Sequence, residues 1–512
     1  MAVAGRSETD VCIIGSGPAG SMAAFELTRR GRDVTVLERG PYLAASALAL
    51  GEAPPQWGLA EIAPAAQARG EVRPMMPAQV GGGGEIFGAA AHRFLPEDFR
   101  MASARGAVDA AQVADWPFSY DDLEPFYARA EAIIGVSGAD GVGRHPPPRS
   151  TPYPLPPLAC DEEAVRRLDG ACARLGLHSI PTPLAILSSE YRGRAPCARC
   201  GFCVGFPCLY SSKGSPTATT LRAAVDTGRC RIVAGVTAHR LLVDGTAAGA
   251  VEYSDERGRK AELGARLFVL ACGAIFTPRL LLLSRSPRFP DGLGNHAGLL
   301  GRFFASHITP AVTGTFAERV HRPNTHFVAR SIDDFYFGEP PAWKGGVVQL
   351  HLSGGVPLML AGGAATARER LGKQVNLYYC GDVLPQAHNR VVLARTLDRF
   401  GYPLPRVEFE YHPLDLASGR MGARHAARLL EEMGASVAAD PARVASWGSG
   451  FHFSGTCRAG RDEATSVVDA DGRVHGADNV YVCDASVFPT SGGFNPALTV
   501  SAVALRTASR IP

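Results

Sequence analysis

Charge of one sign is scarce in this chain. Its 512 residues carry 52 Lys and Arg against 49 Asp and Glu, a formal net charge of +3, and no tract concentrates the basic residues. That balance leaves no electrostatic case for nucleic acid or for a membrane surface as partner. Long apolar runs are missing too, because no stretch reaches the roughly 18 to 20 uninterrupted apolar residues of a membrane helix. Met1 to Asp10 is short and polar, lacks the apolar centre of a secretory signal, and leads straight into a strand. The expectation is a cytoplasmic protein. No internal repeat or low-complexity segment is evident.

A chain of this length exceeds one ordinary core, so two domains are expected. With 46% hydrophobic and 20% charged residues it has the composition of a globular protein with a large interior. The 58 Gly and 38 Pro point to many tight turns and close backbone approaches rather than long helical arrays. Twelve cysteines in a reducing compartment argue against a disulfide framework.

The first organised stretch is a βαβ unit. Val11 to Ile14 form an apolar strand, Gly15-Ser16-Gly17-Pro18-Ala19-Gly20 a glycine-rich turn, and an amphipathic helix follows through Arg30. A second strand then ends at Glu38. In this context GxGxxG has a mechanical meaning. Gly15 permits the tight turn, Gly17 lets backbone approach a pyrophosphate, and Gly20 allows close helix–strand packing. The helix start then faces the phosphates, and Glu38 is placed to accept from ribose hydroxyls. Pro41 to Pro77 is Ala- and Pro-rich, aperiodic, and expected to leave the sheet. The tract from Gly81 to Gly84, including Gly82 and Gly83, offers a second place where backbone can press on a flat ligand. The tail around Asp484 and from Gly492 to Pro496 offers a third. Three such approaches spread over the chain suit a large embedded cofactor, FAD, better than an exchangeable nicotinamide.

Cys197, Cys200, Cys203 and Cys208 are spaced C-x2-C-x2-C-x4-C. An even spread would put only about 0.3 cysteines in that window. Clustered thiolates at this spacing suit an iron–sulfur cluster or a zinc ion, and a set of bare buried thiols is the third alternative. The other eight cysteines are scattered and expected to serve as small core residues.

From Val11 to its end the chain resembles the glucose-methanol-choline (GMC) oxidoreductases. The resemblance is carried by the glycine fingerprint, the Val80–Gly84 tract, the segment Gly273 to Pro278 with its following leucines, and the block from His452 to Thr499. It implies an α/β fold, with a Rossmann-type FAD-binding domain and a second, substrate domain built on an antiparallel sheet, as in p-hydroxybenzoate hydroxylase-like architectures. Residues 1–100, 190–309 and 450–512 are assigned to the first domain, and 101–189 and 310–449 to the second. The resemblance also implies that His452, in HxxGT, is the catalytic base and that Asn495 is its partner. It puts Asp484 at the pyrophosphate or ribityl chain, Val236 at the adenine, and Asn495 and Pro496 beside the flavin. His92, His307 and His475 are expected to be structural or supporting, and FAD to be held without a covalent bond.

Within the family the tail and the stretch from Ser286 to Arg302 look like the paromamine 6'-oxidase group, which oxidises a primary alcohol of an amino sugar. The cysteine segment is similar to flavin subunits of bacterial sugar and gluconate dehydrogenases. The expected reaction is oxidation of an amino-sugar or aminoglycoside alcohol to the aldehyde, or on to the acid, with electrons passing to oxygen. Two alternatives stay open: a sugar dehydrogenase feeding an iron–sulfur cluster and a carrier protein, and a non-catalytic flavin-binding protein. Removing a hydroxyl proton needs a base within hydrogen-bond reach and with a pKa near neutrality, which histidine meets without large tuning. An aminoglycoside is a polycation, so Asp333, Asp334 and Glu339 are candidates to meet its amines.

Overall fold

The computed structural model describes residues 7–43, 60–63, 74–322, 325, 328–352, 370–437 and 448–512. The excursion expected between Pro41 and Pro77 lies mostly outside them. Strand β1 (Ser7–Ile14) pairs in parallel with β2 (Val34–Glu38), Val11 opposite Val34 and Ile14 opposite Leu37. Every residue of β2 is buried, as expected of a parallel strand covered on both faces. Helix α1 (Pro18–Arg29) connects them, with Gly17 as its N-cap and Pro18 in its first turn, where the missing N–H costs nothing.

The sheet extends from β2 to β4 (Cys230–Ala234), and on the other side of β1 to β7 (Lys260–Leu270), β6 (Ala247–Asp255) and β5 (Val236–Asp244). β7 is long enough to take two neighbours on one edge. It pairs with β6 along Lys260 to Gly264 and with β17 (Val480–Val482) along Phe268 to Leu270. The C-terminal strand is thereby brought into the N-terminal sheet.

A second sheet of eight strands runs in the order β15 (Ser436–Val437), β9 (Ala311–Thr315), β12 (Gln374–Gly381), β11 (Gly346–His351), β10 (Val328–Ile332), β3 (Ile180–Pro181). Strand β8 (Ala305–Ile308) joins it by pairing with β12 and with β16 (Gly448–Ser454). Its pairings are antiparallel, so this is the antiparallel second sheet that the α/β expectation required. A separate hairpin is made by β13 (Arg390–Leu397) and β14 (Pro403–Glu408).

Helix α2 (Tyr120–Ile134) starts on Ser119, whose side chain accepts from the Asp122 N–H. α3 (Gly273–Leu283) follows β7. α4 (Pro413–Glu432) buries Met421, Ala426 and Leu430 in one cluster with Val375 and Leu377 of β12. α5 (Ala497–Arg510) lies against α1 and α2. Among the described residues no helix is long and apolar enough to cross a membrane.

Candidate active site

The glycines of the first turn divide into two kinds. A Cβ on Gly15, at φ +99°, would lie 2.4 Å from the Ala271 carbonyl oxygen, and one on Gly20 would lie 1.9 Å from that of Gly15. Those two positions are closed by packing. Gly17 has nothing within 4 Å of its missing side chain, and Gly83 likewise. A Cβ on Gly82 would stand 3.0 Å from the Gly17 Cα, so the two glycine tracts converge. The start of α1 has no side-chain cap and no acidic residue in its first turn, which leaves its N–H groups for an anion. These residues fit the phosphates of FAD.

Glu38 ties this cradle together. Its Oε2 accepts from the Ser16 N–H at 3.0 Å and the Ser16 hydroxyl at 2.6 Å, and its Oε1 from the Gly40 N–H at 2.9 Å. The Ser16 hydroxyl in turn accepts from the Gly81 N–H. Oε1 retains a lone pair for a ribose hydroxyl. Val236 is buried at the start of β5, next to Gly235, whose N–H donates to the Gly40 carbonyl. From Pro18 and Gly84 a mostly apolar cleft of about 410 Å³ runs to Phe87, Pro216 and Leu498.

Asp484 is buried between two helix starts. Its Oδ2 accepts from Gly273 N–H and the Thr277 hydroxyl, and its Oδ1 from Ser486 N–H. Burial raises its pKa against the pull of those donors. Pro496 is the N-cap of α5, so the loop before it ends at a rigid point.

His452 sits on β16 where the strand loses register with β8: Gly448 faces Ile308, yet Phe453 faces Ser306. Such bulges re-aim side chains. His452 itself has φ 62°, a left-handed conformation that bulky residues adopt under constraint. The rest of HxxGT supplies that constraint. A Cβ on Gly455 would lie 2.1 Å from the Phe303 carbonyl oxygen, so only glycine fits, and the Thr456 hydroxyl donates to the Ala274 carbonyl at 2.7 Å. The His452 ring meets His307 of β8, Nδ1 to Nδ1, at 3.1 Å. His307 donates from Nε2 to the Ser491 carbonyl and has the Cys380 sulfur 3.0 Å from its Nδ1. Burial, and then His307, push the His452 pKa down to about 3. The near-neutral base expected from sequence is therefore corrected: the enclosed ring loses the water that would stabilise its charged form.

Ser491 belongs to the loop that carries Asn495. Trp116 donates to the Thr490 hydroxyl, the Ser491 hydroxyl to Asp382, and Gly493 N–H to the Tyr336 hydroxyl. Phe494 stacks between His92 and Tyr336 at 4.6 and 4.3 Å. The Asn495 Oδ1 accepts from Gln349 Nε2 of β11 at 2.8 Å. Beneath the loop, Lys344 bridges Asp98 and Asp382, all three buried. Burial alone would lower the Lys344 pKa, but the two carboxylates outweigh it and hold it up. Gln349 and this ion triad had no signal in the sequence, since none lies in a motif, and Ser491 lies in the block from His452 to Thr499 without being marked out by it. His307 was noticed only as a supporting residue.

Other expected groups have different surroundings. The four clustered cysteines are not in disulfides. The Cys197 thiol lies near Cys200 and Cys208, but no three of the sulfurs are close enough to share a single ion; among the described residues the one group of His, Cys, Asp or Glu that is so close is His307, Cys380 and His452. The Lys213 ammonium is buried inside the loop, donating to the carbonyls of Phe87, Cys203 and Phe206. His92 is buried with Nε2 on the Ser331 hydroxyl and Nδ1 unpaired, and His475 bonds the Ser466 hydroxyl. Of the three candidate acids, Asp334 is paired with His178 and Glu339 with His425. Asp333 accepts from the N–H groups of Arg144 and His145, and lines a cleft of about 470 Å³ with His92 and Phe494.

The chain matches family models at residues 8–47 (FAD binding domain), 111–309 and 385–504 (both GMC oxidoreductase). It is 34% identical to 6'''-hydroxyparomomycin C oxidase of Streptomyces lividus and 34% identical to paromamine 6'-oxidase of Streptomyces fradiae. Each alignment covers 98% of this chain and 91% of the relative. It is 28% identical to 2-methyl-1,2-propanediol dehydrogenase of Mycolicibacterium austroafricanum, over 98% and 95%. Among solved structures, formate oxidase superposes with a TM-score of 0.72 at 16% identity, covering 99% of this chain and 98% of that one, and shares the fold. On these grounds the chain belongs to the GMC oxidoreductase family and is an FAD-dependent oxidoreductase.

Proposed function

We propose that this protein oxidises a primary alcohol of an amino sugar or aminoglycoside to the aldehyde, with His452 accepting the hydroxyl proton, Asn495 orienting the alcohol, and oxygen as the terminal acceptor. The observation that carries the reading is the setting of His452, a constrained, half-buried ring one hydrogen bond from a second imidazole. His307 spends its Nε2–H on the Ser491 carbonyl, so its Nδ1 is an acceptor. His452 then donates from Nδ1, which leaves its Nε2 as the free lone pair. A base needs that tautomer. With its pKa pushed down to about 3, the ring is neutral at working pH, and Nε2 is its open acceptor. Asn495, its oxygen already engaged by Gln349, offers its amide N–H groups to the alcohol oxygen.

FAD, held without a covalent bond, supplies the hydride-accepting chemistry. Gly17, Gly82 and Gly83 with the start of α1 support its phosphates, Glu38 its ribose, Val236 its adenine, Asp484 its pyrophosphate or ribityl chain, and Pro496 lies beside the flavin. The substrate class is supported by the two aminoglycoside oxidases to which the whole chain is similar. The cleft of Asp333, His92 and Phe494, next to Asn495 in the chain, suits the body of a polar ligand. Twelve cysteines with none in a disulfide suit a cytoplasmic location. The reading needs no iron–sulfur cluster.

Anaerobic mixing tests it. Amino sugars with a free primary alcohol should bleach the flavin, and admission of air should restore colour with peroxide formed in proportion. Neutral hexoses bleaching it equally fast would remove the aminoglycoside assignment, and no bleaching by any alcohol would remove the reaction.

A further inference from the structure

His307, Cys380 and His452 offer one donor atom each, all within 4.8 Å of one another. Their elements converge for structural reasons. β8 lies between β16 and β12, His307 is on β8, and Cys380 is next to the last residue of β12. The Cys380 sulfur and the His452 Nδ1 stand 3.0 and 3.1 Å from the same His307 nitrogen.

We propose that these three side chains form a site for one borderline-soft divalent cation of the zinc class, and that its occupancy switches the oxidation off. Zinc takes imidazole nitrogen at about 2.0 Å and thiolate at about 2.3 Å in a tetrahedron, which puts its ligands roughly 3.3 to 3.8 Å apart. The two contacts to His307 need to lengthen by only a few tenths of an ångström, and the Cys380 and His452 donors lie within 4.8 Å of each other. His307 already has the arrangement of a metal-ligating histidine, its remote N–H fixed on a backbone carbonyl.

Charge and protons balance. Binding Zn²⁺ releases the Cys380 thiol proton to solvent, and two neutral imidazoles with one thiolate leave the site at +1. The buried triad of Asp98, Lys344 and Asp382 carries −1 and is connected to it through Ser491, which donates to Asp382 and accepts from His307. The effect on chemistry follows from the tautomer. A cation on the His452 Nδ1 displaces the proton there to Nε2, which removes the lone pair that takes the alcohol proton. This inhibition rests on the reading of His452 as base, whereas the binding does not.

The test uses FAD-loaded protein carrying Cys197→Ser and Cys200→Ser, so that the clustered thiols do not add to the count. Zinc chloride is titrated in, retained metal is measured after desalting, and flavin reduction by alcohol is followed alongside. The site requires one zinc per chain and a loss of rate of about tenfold or more, reversed by EDTA. Adding Cys380→Ser, with Cys380→Ala as the second variant, should weaken zinc binding at least about tenfold, the effect of zinc on each variant being read against that variant's own zinc-free rate. No retained zinc, or equal affinity without the Cys380 thiol, overturns the site. Zinc held through Cys380 with an unchanged rate upholds the site and instead overturns His452 as the base.

Discussion

His307 and His452 meet Nδ1 to Nδ1 at 3.1 Å across the paired strands β8 and β16. With the His307 Nε2–H on the Ser491 carbonyl, the His307 Nδ1 is left to accept, and His452 shares it with the Cys380 thiol. A loop residue far along the chain thus sets where the His452 proton sits.

His452→Ala should keep its fold and its FAD while flavin reduction by alcohol falls about a hundred- to ten-thousand-fold. The glycine turns and Glu38 hold the cofactor and are untouched by the change. Stopped-flow reduction under nitrogen is the measurement. A rate near that of the parent would put the base elsewhere, with His307 the next to replace.

Asn495→Ala should lose less than His452→Ala, because it orients the alcohol without taking the proton. Gln349→Leu frees the Asn495 amide and should reproduce part of that loss. The double variant should then be no worse than Asn495→Ala alone, as expected of residues acting through one contact. Additive losses would mean that Gln349 acts on its own.

The glycines predict opposite outcomes at neighbouring positions. The Cβ that Gly17→Ala adds has no protein atom within 4 Å, and Gly17→Val extends it further into the cradle, so with Gly17→Ala the melting temperature without cofactor should be unchanged, and with Gly17→Val flavin absorbance should be lost. Gly20→Ala drives a Cβ to 1.9 Å from the Gly15 carbonyl oxygen and should cost about 1–3 kcal/mol of stability by overpacking. Thermal melts and the flavin-to-protein absorbance ratio separate the two. A Gly17→Val protein that stays yellow would refute the cradle.

Lys344→Met leaves Asp98 and Asp382 buried without their shared cation. Breaking a buried pair on one side costs about 3–5 kcal/mol, and the loop from Thr490 to Asn495 should loosen with it. Denaturation of the holoprotein reads the first effect. Adding Asp382→Asn should recover part of the loss, and a lone Lys344→Met change below about 1 kcal/mol would show the triad to be incidental.

Acid should destabilise the fold through buried neutral histidines. Burial pushes His239 down to about 4 and His92 to about 3, against an unfolded value of about 6.5. Between those limits the unfolded chain binds more protons, so stability falls as pH falls below about 6.5. At pH 5 each group costs about 2 kcal/mol. His239→Phe, away from the active site and stacked on Tyr402, should flatten the profile by one such increment. An unchanged slope would contradict the burial effect.

What was legible beforehand was local. The turn from Gly15 to Gly20 could be read because strand, turn and helix are adjacent in the chain and each glycine answers a nearby steric demand. What depended on distant segments was not legible. Gln349 reaches Asn495 from β11, outside any motif. The pKa of His452 likewise depends on how completely other elements enclose it.

The sequence by itself determined the α/β class and the flavin cradle, because hydrophobic periodicity and glycine spacing act over a few residues, and the candidacy of His452 and Asn495 came from the family resemblance of their block. Only the tertiary structure decided what surrounds His452. β8, β12, β16 and the loop before α5 come from four separate parts of the chain, and their pairings bring His307, Cys380 and Ser491 to one place. Sheet register and burial are collective properties of the packed chain, and they set the tautomer and proton affinity of a ring that the sequence could only name.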